Sequence, residues 1–356
     1  MLEEERVDSR NIISDYIFYS KYSRVKEDGT KESWEESISR VMQMHWSFFE
    51  NKITEEKREA FLKVFNTAWS AYENRLILGS QRALQYGGEQ LLKNHLRLYN
   101  CTSSYLNRVA FFEECMESLL SGEGTGYSVQ KVHTEQLPVM KGVDSSKKVV
   151  FEIPDSIEGW ARSVGMLIEH YYYNLPVIEF DYSQIRPEGS FISGGFKAPG
   201  PEPLKVCHSK IKTILDKVNN RKLRPFELHY ITCIIADAVI SGGIRRSAMI
   251  ALFDIDDIEM LSCKTGNWFQ MYPELCRCNN SAVIFEDTPK EEYLKIMKYV
   301  KEYGEPGIIF LSHPDQVLNP CCFSGDTLVA VADGRNAVSI KELSEEDEPF
   351  PLFYKK

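Results

Sequence analysis

The sequence predicts an α/β protein that begins with a helical region, and three observations support this fold class. Through about residue 95 the apolar residues recur at helical spacing. From about residue 96, short apolar runs typical of buried strands alternate with amphipathic helical stretches, which favours a mainly parallel sheet. From residue 322, two short β runs flank the turn-forming sequence ADGRN, which predicts a hairpin.

Composition and charge exclude several classes of function. The 356 residues are 43% hydrophobic and 26% charged, as in an ordinary globular protein with a large core. The formal net charge of −10 disfavours nucleic-acid binding, because a phosphate backbone requires clustered Lys and Arg. No stretch approaches the roughly 18 apolar residues of a spanning helix, and the N-terminus lacks a signal-peptide pattern. We therefore expect a cytoplasmic protein without a membrane or nucleic-acid partner.

Residues 1–95 are assigned to an N-terminal helical region. Their apolar side chains repeat every three or four positions in two stretches, as on one face of a helix. These residues are Trp34, Ile38, Val41 and Met42 in the first stretch and Phe61, Val64, Phe65 and Trp69 in the second.

Residues 96–321 form the predicted α/β unit. Its strands are expected in VVFEI, VIEFDY, AMIALFD, SAVIFED and GIIFL, and its helices include SIEGWARSVGMLIEHYYY and ELHYITCIIADAVI. Between a helix and a strand, LLSGEGTGYSV contains Gly122, Gly124 and Gly126. Glycine at such a place permits either a tight turn or close approach of the backbone to a ligand. The spacing matches neither a dinucleotide-binding glycine motif nor a P-loop.

Two further segments are candidate anion-binding loops. Residues 183–205 are irregular and rich in Gly and Pro, and a loop of this length is usually functional or disordered. Its Arg186 and Lys197 suit contact with phosphate. In SGGIRRSAMIALFD, Arg245 and Arg246 follow a Gly-Gly turn directly before a strand, a position that suits bidentate contacts to phosphate or carboxylate. A surface ion pair is the alternative for these arginines.

The nine cysteines are expected to be thiols, since stable disulfides are rare in the cytoplasm and those present there are usually catalytic. Cys276 and Cys278 form a C-x-C motif near Cys263, but a structural zinc site needs a second close pair, so we expect no metal site. We expect three others to be inert core residues, namely Cys115, Cys207 and Cys233. The isolated histidines His133, His208 and His313 belong to no hydrolase motif.

Taken in order, eight segments resemble the adenosylcobalamin-dependent (class II) ribonucleotide reductases, specifically the monomeric ribonucleoside-triphosphate type. These segments are LYNC, GEGTGYSV, EIPDSIEGW, IRPEGSFISGGFKAPGPEPL, ISGGIRRSAMIALFD, CNNSAVIFED, GEPGIIFL and NPC. The resemblance covers about residues 20–321. It implies a ten-stranded α/β barrel made of two half-barrels, with a finger loop that carries a radical cysteine at its centre. Residues 96–321 would be the first half-barrel.

The resemblance also implies roles for individual residues. Cys321 would become a thiyl radical that removes the ribose 3′ hydrogen, Asn319 would hydrogen-bond the substrate, and Cys101 would be one of two thiols that reduce the 2′ carbon. Further substrate or effector contacts would come from Arg186, Gly194, Gly195, Arg245, Arg246, Ser247 and Asn280. The implied cofactor is adenosylcobalamin, since side chains cannot start a radical unaided. The implied partners are a ribonucleotide substrate, a deoxynucleotide effector and a thioredoxin-like dithiol reductant.

The sequence departs from the resembled family after Cys321. In the resembled family a glutamate follows NPC within two residues, whereas this chain continues with CFSGDTLV. That stretch resembles the opening block of an intein, with Cys322 as the nucleophile that attacks the preceding carbonyl in an N-to-S shift. Residues 322–356 are therefore interpreted as an N-terminal intein fragment. An inserted hairpin of another kind is the alternative, and so is an intein that begins at Cys321.

The remaining parts of the reductase and of the intein are expected beyond residue 356. These are the second half-barrel, the second redox thiol, most of the cobalamin site and the later intein blocks. The N-terminal piece of a split intein and a truncated reading frame both fit the sequence. The C-terminal half of the reductase and intein is thus an expected partner. A stand-alone nucleotide-binding half-barrel, with a regulatory function or no catalytic one, is the alternative from another functional class.

Overall fold

The computed structural model describes residues 9–26, 28–192, 196–240, 248–320, 328–330, 335 and 337–346. The described chain opens with helices α1 (Ser9–Lys21), α2 (Trp34–Phe49), α3 (Glu55–Glu73), α4 (Gln81–Tyr86) and α5 (Glu89–Lys93), followed by a 3₁₀ turn at His95–Leu98. In the part of the chain that is described, none of the helices combines the length and the apolar composition needed to cross a membrane.

The N-terminal helices pack around their own apolar cluster. A capping box between Ser33 and Glu36 starts α2, because each residue satisfies a backbone N–H of the other. The cluster joins α2, α3 and α4 through Ile38, Val41, Met42, Phe65, Tyr72, Ala83 and Leu84. The predicted faces are confirmed apart from Val64, which is 68% exposed on the outer side of α3.

The α/β part follows in chain order. Its first elements are β1 (Cys101–Tyr105), α6 (Phe111–Ser121), β2 (Gly124–Ser128), α7 (Lys131–Thr134), β3 (Asp144–Glu152), α8 (Ile157–Tyr173), β4 (Pro176–Asp181), β5 (Phe191–Ile192) and β6 (Phe196–Lys197). The next are α9 (Glu202–Leu215), α10 (Pro225–Ile240), β7 (Met249–Asp254), α11 (Ile258–Ser262), α12 (Trp268–Met271), a 3₁₀ turn (Pro273–Arg277), β8 (Cys278–Ile284), α13 (Lys290–Tyr303) and β9 (Gly307–Phe310).

Five strands form the main sheet in the order β1-β2-β7-β8-β9, and every neighbouring pair is parallel. The predicted mainly parallel α/β arrangement is therefore confirmed, whereas closure into a ten-stranded barrel stays a prediction. One face of the sheet packs against helices, with Tyr127 and Phe253 in the large core. The opposite face carries Leu252 and Val283, which pack against Leu318 and its neighbours.

Two predicted strands lie outside the main sheet. VVFEI and VIEFDY belong to β3 and β4, which pair with each other in a separate two-stranded parallel sheet. The long Gly/Pro-rich loop contains a short antiparallel pair, β5 with β6.

In the C-terminal region, β10 (Leu328–Ala330) pairs antiparallel with β11 (Ala337–Ser339), as predicted for these two runs. A short helix, α14 (Ile340–Ser344), follows directly and is capped by Ser339.

Candidate active site

A chain segment after β9 lies across the open face of the sheet. We call residues 315–320 the crossing segment. The hydroxyl of Tyr105, at the carboxyl end of β1, donates to the main-chain carbonyl of Asp315. Farther along, Leu318 lies over Gly126 and Pro320 lies over Gly124, the first residue of β2. The crossing segment therefore runs from the carboxyl ends of β1 and β2 toward their amino ends.

Two glycines of β2 make this close approach sterically feasible. A Cβ on Gly126 would lie 1.7 Å from the carbonyl oxygen of Leu318, and one on Gly124 would lie 2.8 Å from Cγ of Pro320. Neither glycine has a positive φ, so their role is to admit another piece of chain rather than to form a turn. Gly122 serves the turn instead, with φ of 88° at the C-cap of α6.

The same contacts bring Cys101 next to the crossing segment. Cys101 is the first residue of β1, is half-buried, and is paired in register with Gly124. The point that a Cβ on Gly124 would occupy is 3.3 Å from Sγ of Cys101 and 2.8 Å from the Pro320 ring. Cα of Asn319 lies 3.0 Å from the corresponding point on Gly126. The structure thus brings together two predicted catalytic residues, Cys101 and Asn319. Cys321, next in sequence, lies outside the described residues.

Asn280 is not brought to this face. It is buried on the helix-covered side of β8, where its Nδ2 donates to Sγ of Cys263 at 3.0 Å and its Oδ1 has no hydrogen-bond partner. Its neighbour Asn279 is exposed and pairs with Ile250, which itself pairs with Gly126, so Asn279 shares the face of Cys101. Sequence reasoning missed Asn279, although the two-residue period of a strand puts adjacent residues on opposite faces.

Of the other residues predicted to bind substrate or effector, one is described by the structure and five lie outside the described residues. The Arg186 guanidinium pairs with Asp155, which precedes α8, at 2.5 Å. The glycine and arginine residues expected to bind substrate or effector lie outside the described residues, namely Gly194, Gly195, Arg245, Arg246 and Ser247. A cleft between α9 and α10 is lined by Glu188, Glu202, Asp237 and Lys210 among others. Its net negative lining does not by itself suit a phosphate.

The buried thiols on the helix side have the properties of core residues. Cys115, Cys207 and Cys233 are buried, and burial raises the pKa of each thiol above its usual value. Protonated thiols are poor nucleophiles and poor metal ligands. This agrees with the prediction that these three cysteines are inert. In the ranges that the structure describes, no three His, Cys, Asp or Glu side chains are arranged to hold a metal ion.

A buried tyrosine and histidine pair lies on the same helix side. The Tyr127 hydroxyl is 2.7 Å from Nδ1 of His229. Burial, followed by the nearby Lys264 ammonium, lowers the pKa of His229 to about 3. The ring is therefore neutral at physiological pH, and the pair is a structural link between β2 and α10.

Comparison with known proteins gives one consistent group of relatives, although the chain matches no protein-family model. It is 26% identical over 333 residues to a probable adenosylcobalamin-dependent ribonucleoside-triphosphate reductase of Dictyostelium discoideum, which covers 85% of this chain and 43% of the relative. It is 26% identical over 322 residues to the adenosylcobalamin-dependent ribonucleoside-triphosphate reductase of Euglena gracilis, with the same two coverages. The chain therefore spans less than half the length of these curated relatives.

A bacterial relative and a solved structure extend the comparison. The adenosylcobalamin-dependent ribonucleoside-triphosphate reductase of Lactobacillus leichmannii is 28% identical over 235 residues, 56% of this chain and 31% of that protein. A crystal structure of a B12-dependent (class II) ribonucleotide reductase superposes with a TM-score of 0.69 and 20% identity, covering 94% of this chain and 52% of that one. At this identity the match shows that the two chains share a fold.

Proposed function

We propose that this chain is the N-terminal part of an adenosylcobalamin-dependent ribonucleoside-triphosphate reductase, active once the C-terminal half completes it. The observation that carries the proposal is the passage of Leu318–Pro320 over Gly124 and Gly126, beside Cys101. Cys321 directly follows Pro320 in sequence. We propose that its thiol reaches the face of the sheet that bears Cys101.

The Cys101 thiol on this face, together with the proposed Cys321 thiol, fits a cofactor that acts by forming a thiyl radical. Adenosylcobalamin supplies a carbon-centred radical when it is bound, and we expect its site mostly in the C-terminal half. In the proposed reaction the Cys321 thiyl takes the hydrogen atom from the ribose 3′ carbon, which leaves a carbon radical and a thiol. The 2′ hydroxyl, once protonated, then departs as water more easily than from an intact ribose. The hydrogen atom returns from Cys321 to the 3′ carbon at the end.

Cys101 is proposed to supply reducing equivalents. Together with a second thiol from the C-terminal half, it provides two electrons to the 2′ carbon and ends in a disulfide. A thioredoxin-like dithiol restores the pair. Asn319 is proposed to hold the substrate, and its position over Gly126 supports this. Asn279, rather than the buried Asn280, is the asparagine of β8 available to a ligand on this face.

Deoxynucleotide effectors are proposed to act through the two arginine-containing loops. Arg186, Gly194 and Gly195 belong to one loop, and Arg245, Arg246 and Ser247 to the other. Arginine side chains suit the bidentate recognition of phosphate groups. The ion pair between Arg186 and Asp155 ties the first loop to the start of α8, so an effector that binds Arg186 would compete with that carboxylate.

The test is reductase activity of the chain combined with its C-terminal half. With adenosylcobalamin and a dithiol, we expect deoxynucleotide formation from the completed protein and several orders of magnitude less from the chain alone, because members of an interdependent catalytic set are missing. Cys321→Ser should abolish turnover and cobalt–carbon cleavage. Cys101→Ser should stop dithiol-dependent turnover yet preserve that cleavage. Cys276→Ser, at an exposed cysteine, is the matched control and should retain activity.

Two outcomes would contradict the proposal. Turnover by the 356-residue chain alone would show that the catalytic set is already complete. Equal loss of cobalt–carbon cleavage in Cys101→Ser and Cys321→Ser would show that the two thiols do not have separate roles.

We further propose that residues 322–356 are the N-terminal part of an intein that joins the two halves of the reductase. The sequence CFSGDTLV and the antiparallel pairing of β10 with β11 support this proposal. Cys322 would attack the carbonyl of Cys321 and form a thioester, which is nucleophilic catalysis on the chain's own backbone. Such splicing would remove the hairpin from the end of the crossing segment.

A further inference from the structure

A buried histidine at the carboxyl end of the sheet is directed at the start of the crossing segment. His133 of α7 is 2% exposed, and its Nδ1 lies 2.8 Å from the hydroxyl of Ser128, the last residue of β2. Its Nε2 lies 3.7 Å from the Asp315 carboxylate and has no hydrogen-bond partner. The Ser128 hydroxyl lies within hydrogen-bond distance of two acceptors, His133 Nδ1 at 2.8 Å and Gln130 Oε1 at 3.1 Å. In the tautomer in which it donates to Nδ1, the proton of the neutral imidazole is on Nε2 and faces Asp315.

Tyr105 holds the same residue of the crossing segment through its main chain. Its ring lies against the His133 ring, with centroids 4.4 Å apart, and its hydroxyl donates to the carbonyl of Asp315. The turn before the segment is itself ordered, because the Gln316 side chain accepts from the backbone N–H of Ser312 at 2.8 Å. A fixed turn is thus fastened to the sheet at Asp315.

Beyond Asp315, the described contacts of Val317 and Leu318 are apolar. Val317 and Leu318 pack on Leu252 and Val283, and apolar packing of this kind does not select one position along a strand. Among the described residues, the main-chain groups of Val317, Leu318 and Pro320 form no hydrogen bond with the sheet. The fastening at Asp315 and the close approach at the two glycines are both suited to fix where residues 318–320 lie along β2.

We propose that Tyr105, His133 and Asp315 form a latch that sets the position of the crossing segment along β2 and so brings Pro320 beside Cys101. The role of the latch in a reaction rests on the proposed function, whereas the latch contacts themselves are a property of this chain. These three are positioning residues, because their contacts lie at the carboxyl ends of β1 and β2, whereas Cys101 is the first residue of β1. They act by fixing where the segment begins its path down β2.

Alkylation of Cys101 tests the latch directly, because Pro320 borders this thiol only while the segment is docked. The whole chain is treated with N-ethylmaleimide, and labelling of each cysteine is followed by peptide mass spectrometry. Tyr105→Phe removes one hydroxyl, and His133→Gln removes the imidazole. We expect Cys101 to be labelled about 10-fold faster in each variant, and the two effects to be less than additive because both act on Asp315.

The chain offers its own controls for this experiment. Exposed Cys276 reports reagent activity, and buried Cys207 reports global unfolding. Tyr99→Phe and His95→Gln make the same chemical changes at exposed positions and should match the wild type. Faster labelling of Cys101 with unchanged labelling of Cys207 supports the latch. Labelling of Cys101 at the wild-type rate in both latch variants overturns it.

A kinetic measurement separates this inference from the proposed function. In the completed enzyme, the latch variants should lower kcat about 10-fold and also raise KM for the substrate, since they displace the crossing segment that carries Asn319. If the completed enzyme is inactive but Cys101 responds as expected, the proposed function fails and the latch stands. If the enzyme is active and both kcat and Cys101 labelling are unaffected, the latch fails alone.

Discussion

The hydrogen atom that Gly126 carries in place of a Cβ is what allows Leu318 to lie against β2. The nearest obstacle to a side chain there is a carbonyl oxygen 1.7 Å away, with its carbon at 2.7 Å. Both atoms belong to the main chain, so they cannot move without the whole segment. At Gly124 the obstacle is the Cγ of a proline ring, at 2.8 Å, which can shift by a change of ring pucker.

This difference predicts graded effects of a single methyl group. Gly126→Ala should displace residues 318–320 from β2, raise the rate of Cys101 alkylation, and reduce the free energy of unfolding by about 1–3 kcal/mol, the usual cost of overpacking. Gly124→Ala should have the same effects in weaker form. Urea unfolding and thiol labelling of both variants measure this. Stability and labelling of Gly126→Ala equal to the wild type would mean that the segment does not dock as described.

At the residue scale, the sequence predicts which residues have functional side chains better than it predicts what those side chains contact in the fold. The family resemblance assigns roles to Cys101 and Asn319, and the structure places both on the face that residues 315–320 cross. The sequence leaves the glycines of GEGTGYSV open between a turn and a close approach, because the occupant of that space lies almost two hundred residues away in sequence. His133 stands alone in the sequence, since its partners Ser128, Tyr105 and Asp315 converge only through the fold.

At the scale of elements, His208 joins three pieces of secondary structure. It lies on α9, its Nε2 is 3.1 Å from the Ser163 hydroxyl of α8, and its ring stacks on Phe180 of β4 at 4.2 Å. Its Nδ1 is 2.8 Å from the Tyr182 hydroxyl. Burial lowers the pKa of His208 to about 3. The neutral ring is thus the form that connects α8, α9 and β4.

The lowered pKa predicts a loss of stability on acidification. Below about pH 6.5 the unfolded chain binds a proton at this histidine while the folded chain does not. The free energy of unfolding should therefore fall as the pH drops from about 6.5 toward 3, with a limiting slope of about 1.4 kcal/mol per pH unit for His208. Urea unfolding between about pH 5 and 6.5 measures the slope with the least contribution from carboxylates.

Variants isolate the contribution of this one ring. His208→Gln keeps polar groups but cannot titrate, so its stability should depend less steeply on pH than that of the wild type. His95→Gln changes an exposed histidine and should run parallel to the wild type. If the curves of His208→Gln and the wild type were parallel as well, His208 would not be the source of the slope.

The sequence predicts the helices and strands themselves more accurately than it predicts which of them pack or pair with one another. The parallel sheet and the helices follow from hydrophobic periodicity, which reports burial along one segment. The same signal does not say which sheet a strand joins, and β3 and β4 therefore lie outside the main sheet despite their apolar runs. Val150 of β3 is 71% exposed, so its β-branched side chain reflects strand propensity rather than a core position.

At the scale of the whole molecule, the proposed seam between Cys321 and Cys322 gives a prediction about covalent structure. Mixing this chain with its C-terminal partner should release residues 322–356 and join Cys321 to the partner. Cys322→Ala removes the nucleophile and should stop ligation, because no thioester can form. Cys321→Ala is the matched variant at the neighbouring position. It should permit ligation and yield an inactive reductase.

Intact-mass analysis of the mixtures measures the outcome. A ligated product from the Cys322→Ala chain would show that the proposed nucleophile, and the proposed boundary between Cys321 and Cys322, are wrong. Absence of ligation in every mixture, with the N-terminal helices and main sheet still folded by circular dichroism, would remove the splicing proposal and leave the reductase proposal to its own test.

The contact between Tyr105 and Asp315 also bears on how the chain folds, since the two residues are 210 positions apart in sequence. Closing so long a loop has an entropic cost that local contacts do not carry, and contacts of this range form slowly. Helices and the strands adjacent along the chain should therefore assemble before residue 315 finds its place. We expect Pro320 and the Cys101 thiol to be the last parts of this region to meet during folding and the first to separate under denaturant. The reaction proposed for Cys101 would then be confined to molecules that have finished folding.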